Sequence, residues 1–135
     1  MLQIIIASLA GIIIFMVLDY IWLAHIAKKF YLDSLGSHVT IHDGSLVPYL
    51  PAVPLVYIVS VIAIWVFVLS SVQDVKEAAF YGTLLGLLMY GFYDLTNMAT
   101  LRGYSWSMVA VDSIWGGVVV GIVTLVMFLV KEMIA

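Results

Sequence analysis

Four apolar runs, each long enough to cross a bilayer, fix what this chain can become. They cover about residues 2–27, 50–72, 76–97 and 107–130. A spanning helix needs roughly 20 apolar residues. Backbone groups in lipid find no water, so each run must satisfy its own N–H and C=O groups, and it does so as an α-helix. The sequence therefore predicts an all-α fold, a four-helix transmembrane bundle with residues 1–135 as a single polytopic membrane domain. Composition agrees: 65% of residues are hydrophobic and 10% charged, against about 25% charged in a soluble domain. The first run has no basic stretch before it, no Ala-x-Ala site, and continues past twenty residues. It reads as a retained helix rather than a cleaved signal.

The connections order the runs. Residues 73–75 and 98–106 are short links, so consecutive helices should be antiparallel neighbours. Segment 28–47 is the one long link. Lys28 and Lys29 belong at headgroup level, and Phe30, Tyr31, Leu32 and Leu35 read as a piece lying in the interface. Gly36, Asp43-Gly44 and Pro48 mark turns. Pro51 and Pro54 fit the beginning of the second helix, where proline is tolerated.

The third run carries an aspartate. At about 100° per residue, Thr83, Gly86, Tyr90, Asp94 and Asn97 fall on one stripe about 80° wide. A helix in lipid turns its ionisable groups toward protein or trapped water, so this stripe should face other helices. The first run repeats the pattern: Ser8, Gly11, Phe15, Asp19 and Trp22 have the same spacing, and residues 8–24 align without gaps on 83–99. Chance is one reading of this match. The other is two tandem helical-hairpin repeats about an axis along the membrane normal.

Antiparallel helices put Asp19, Asp94 and Asp112 at similar depth near one face. Asp112-x-x-Trp115 echoes Asp19-x-x-Trp22, with Asp and Trp on one side of each helix. With Asn97, Tyr90 and Tyr93, these residues outline an acidic pocket for a ligand or a proton. The competing reading is a knot of aspartates bonded across helices, which locks the bundle. Past Lys76 at the start of the third run, no Lys or Arg lies inside the runs, so the aspartates lack a buried counter-ion. Desolvation and mutual repulsion disfavour several bare charges there, so the cluster should hold a proton, a cation or an amine-bearing ligand.

Other signals are weaker. His38-x3-His42 has ligand-compatible spacing only on a helix, and β-branched Val39, Thr40 and Ile41 argue against one; the two are the candidates for a metal, whose presence stays open, as does any other cofactor. Gly82-x3-Gly86 and Gly117-x3-Gly121 permit close helix approach, within the bundle or in a homodimer. Tyr20, Tyr31, Trp65, Tyr104 and Trp106 read as interface or core aromatics. The chain has no cysteine, which excludes disulfides and thiolate chemistry. No P-loop or Gly-x-Ser-x-Gly occurs. Tyr93-Asp94 and Asp112 loosely resemble intramembrane aspartyl proteases, but Ala110-Val111 stands where those enzymes carry Gly-x-Gly. A net charge of −3 marks no nucleic-acid surface.

Asp19-x-x-Trp22-Leu23, Tyr93-Asp94-x-Thr96-Asn97 and Asp112-x-x-Trp115-Gly116 together resemble the bacterial membrane proteins grouped as domain of unknown function 2177. The resemblance covers nearly the whole chain. It implies a four-helix polytopic protein of the bacterial cell (inner) membrane, and it names no substrate. Three functions stand as alternatives: binding or transport of a small cationic or amphiphilic ligand, alone or coupled to a proton; a membrane-embedded lipid-modifying enzyme using the aspartates as acid/base pair or metal ligands; and a structural or assembly subunit. The expected partners are the lipid bilayer and a small amphiphile, cation or lipid.

Overall fold

The computed structural model describes residues Met1–Ala135. Five α-helices account for most of the chain, and the fold is all-α apart from one two-stranded hairpin. Helix α1 spans Leu2–Ile21 and runs on through a π-helical turn at Trp22–Ile26. After a break at Ala27 comes α2, Lys28–Leu35, followed by a 3₁₀ turn at Gly36–His38. Strands β1 (Ile41–His42) and β2 (Ser45–Leu46) pair antiparallel, with Ile41 opposite Leu46. Asp43 and Gly44 close the turn with φ of 49° and 68°, the left-handed pair that a two-residue hairpin needs.

Helix α3 spans Val53–Ile64 and continues as a π-helical turn through Leu69. Pro54 sits in its first turn, where the missing N–H has no partner to lose. Helix α4 spans Val75–Thr100. Asp74 caps it by accepting from the N–H groups of Lys76 (2.8 Å) and Glu77 (2.9 Å), and Glu77 accepts in return from the Gln73 N–H at 2.8 Å. Helix α5 spans Trp106–Ile134, with Ser105 as its cap.

Two helices are long and apolar enough to cross a membrane, Leu2–Ile26 and Trp106–Ile134. Val53–Leu69 is apolar but shorter, because the proline-rich approach delays its start and Ser70-Ser71 end it. Helix α4 has the length but carries Lys76, Glu77, Asp94 and a tyrosine-rich second half.

Helix α5 is the centre of the molecule. Twelve of its residues are buried, against three in α1. The polar stripe of α4 faces it, as the sequence predicts: a Cβ added to Gly82 would meet Thr124, and one added to Gly86 would lie 2.1 Å from the Gly116 carbonyl oxygen. The matching stripe of α1 also faces α5, with Gly11 against Met127 and Val123. The two similar helices thus flank one shared helix. In a pair of tandem hairpins α3 would serve α1 as α5 serves α4, but α3 touches α1 only sparsely. Their best-defined polar tie is the Trp65 Nε1–H donated to Ser8 Oγ at 2.8 Å.

Candidate functional site

At the end of the bundle where α1 and α4 finish and α5 begins, the structure gathers aspartates around α5. Asp112, in the second turn of α5, is buried. It accepts from the Tyr31 hydroxyl of α2, which in turn accepts from Trp22 Nε1 at 3.1 Å. One turn further along α5, Trp115 donates its Nε1–H to Asp19 at 3.0 Å. The rings of Trp22 and Trp115 stack nearly parallel, 2° apart in plane and 4.4 Å between centroids. The two Asp-x-x-Trp motifs therefore clasp each other. One crossing bond is direct, the other passes through Tyr31, and the stacked indoles lie between them. Offset stacking of this kind adds about 0.5–1.5 kcal/mol beyond area burial.

Asp94 lies deepest, with 0% of its surface exposed. Its Oδ1 accepts from the Tyr104 hydroxyl at 2.5 Å. Its Oδ2 is fully enclosed and has no donor. The carboxyl of Asp112 neighbours that of Asp94. Two carboxylates cannot bond each other; one proton between them makes a donor of one and an acceptor of the other. Asp112 neighbours Asp19 as well, so α5 supplies the residue common to both flanking helices.

The donors stay protonated. Burial, reinforced by the Asp112 carboxyl beside it, pushes the Tyr31 hydroxyl well above the ordinary tyrosine range. Burial, with the Asp94 hydrogen bond next in weight, does the same for Tyr104. Both hydroxyls remain donors to carboxylates, which is the stronger class of hydrogen bond.

The other expected residues divide. Asn97 is half-buried and lies beside the Tyr104 hydroxyl. Tyr90 is half-buried, and its ring covers the gap left by Gly116, where a Cβ would come within 2.2 Å of it. Tyr93 does not line the site: it is 62% exposed, because one residue's step around a helix turns it about 100° from Asp94. His38 and His42 do not form a metal site. His38 sits on the 3₁₀ turn with Nε2 3.1 Å from the Arg102 carbonyl, and His42 lies on β1 against Asp43, exposed. No group of three His, Asp or Glu side chains converges to hold a metal.

Sequence reasoning missed two donors. Tyr31 and Tyr104 read as interface or core aromatics, with no hydroxyl role, yet each supplies a hydroxyl to a buried aspartate. Tyr57 of α3 also lies beside Asp19 and edge-on to Phe15. The available signal was indirect: several buried acids without basic partners require neutral donors from somewhere, and tyrosines are the main supply.

No curated protein and no solved structure matches the chain. The family model described as predicted membrane protein, domain of unknown function 2177, matches residues 4–129, and the chain belongs to that family of membrane proteins.

Proposed function

We propose that this is a multi-pass protein of the bacterial inner membrane, a single four-helix bundle in which α1, α3, α4 and α5 cross. Asp19, Asp94 and Asp112, with Asn97, Trp22, Trp115 and Tyr90 around them, form an acidic site that binds a proton or a small cationic ligand. The site serves proton-coupled binding or transport. The observation that carries this reading is the enclosed Asp94 Oδ2, which has no donor, on a carboxyl that neighbours the carboxyl of Asp112. Such an oxygen is costly to leave unmatched, and an intramembrane ionisable residue is by default a candidate functional site.

The second reading is a structural clasp. It is favoured by the protein's own indole and phenol donors, one of which already holds each aspartate. Asp94→Asn separates the two, because Asn keeps the shape and the hydrogen bonding and cannot carry the charge. The assay is proteoliposomes under an imposed pH gradient, with uptake of the lipophilic cation ethidium as the probe. A folded Asp94→Asn protein that has lost the pH-driven uptake shown by the parent supports the acidic site. Uptake that is absent in the parent, or unchanged in Asp94→Asn, overturns it in favour of the clasp.

A further inference from the structure

Segment 27–47 meets the acid cluster through one side chain, the Tyr31 hydroxyl on Asp112. Helical geometry fails at two points on its approach: the i→i+5 bonding of Trp22–Ile26, closed by the Ala27 N–H to the Trp22 carbonyl at 2.7 Å, and Ala27 itself at φ −104°, ψ 5°. Helix α2 then starts without a side-chain cap. π-Helical turns occur disproportionately at functional sites, and a break of this kind is where a hinge absorbs backbone rotation. Beyond it, α2 lays Tyr31 and Leu35 on Tyr104, Met108 and Val109, a satellite cluster separate from the main core. Polar ties from the segment to the body are few. They are the Tyr31 hydroxyl donated to Asp112, the Trp22 bond that supports it, and His38 against the Arg102 carbonyl. Lys28 bonds Ser45 at 3.0 Å and holds α2 to the hairpin, so the segment coheres within itself.

We propose that α2 and the β1–β2 hairpin form a lid hinged at Trp22–Ala27, with Tyr31 as the latch residue that closes it over the Asp94–Asp112 pair. The proposal rests on the reading of that pair as a binding site, and it is tested by accessibility rather than by transport. The chain has no cysteine, so a single thiol can be introduced cleanly. Met108→Cys places one beneath the lid, where Met108 is 3% exposed. Ser37→Cys, on the outer surface, serves as the exposed reference. The readout is the rate of labelling by a membrane-impermeant maleimide in proteoliposomes.

The thiol at 108 is expected to label far more slowly than the one at 37. Adding Tyr31→Phe, which keeps the ring and removes the latch, should raise the rate at 108 about tenfold, the worth of a hydrogen bond to a charged group. Adding His38→Ala instead should raise it about threefold, for the loss of one neutral bond; His38 is exposed, so this variant folds even if Tyr31→Phe does not. Labelling at 108 as fast as at 37 without either change overturns the lid. A rate at 108 indifferent to both changes does so too. Failure of cation uptake with these labelling rates intact would remove the proposed function and leave the lid standing.

Discussion

Trp115 holds the site together by two different surfaces of one side chain. Its face lies on Trp22, and its Nε1–H holds Asp19. Trp115→Phe keeps an aromatic face and removes one donor from half-buried Asp19, leaving Tyr57 beside it, so it should cost about 1 kcal/mol, the worth of one hydrogen bond. Trp22→Phe should cost less, because the Tyr31 hydroxyl it supports still donates to Asp112. Thermal unfolding of both variants in one detergent gives the order; a larger loss for Trp22→Phe would contradict it. The Asp-x-x-Trp pairs were legible in the sequence, since three residues apart is one side of a helix wherever that helix packs. Tyr31 and Tyr104 were not, because no spacing links a residue in a connecting segment to an acid on another element. Tyr93 shares the depth of Asp94 but not its face, and depth alone does not place a residue in a site.

At the level of elements, glycine spacing marked the α4 and α5 faces correctly, and the structure adds which atoms they admit. Gly86 lies against the backbone of Gly116, where nothing yields. Gly86→Ala should therefore force the two helices apart and cost about 3 kcal/mol or more, toward the severe end of overpacking. Gly91→Ala meets only Ser113 Oγ, at an ordinary 3.5 Å, and should be near neutral. Resistance to unfolding in sodium dodecyl sulfate compares the pair; equal losses would mean that α4 and α5 do not meet at Gly86. The α3 boundaries and the hairpin were only partly readable. Asp43-Gly44 announced a turn, but strands of two residues carry no alternation to detect. The π-helical turns left no trace, because a wider turn changes backbone bonding without changing residue type. The helix repeat was visible as a pattern, and its packing was not, since matching stripes fit one shared helix as well as two separate ones.

For the whole molecule, charge placement predicts orientation. The contact between His38 and the Arg102 carbonyl puts the 28–47 segment and the α4–α5 link at one end. That end carries Lys28, Lys29 and Arg102, against Lys76 and Lys131 at the other. With the helices crossing as proposed, the richer end belongs in the cytoplasm, so the acid cluster and the α2–hairpin segment should face inward and both termini outward. A periplasm-active reporter fused after Ala135 should be functional and a cytoplasm-active one silent. The reverse result inverts the assignment. Activity of both would show insertion in two directions, which one lysine added beside Lys76 should then bias toward cytoplasmic termini. The central position of α5 also bears on biosynthesis. The helix that contacts both polar stripes follows α1 and α4 in the chain, so those two emerge from the ribosome with Asp19 and Asp94 facing a partner that does not yet exist. Until α5 is made, those carboxyls lack Trp115 and Asp112 beside them, and the nascent chain depends on whatever shelters its unfinished helices.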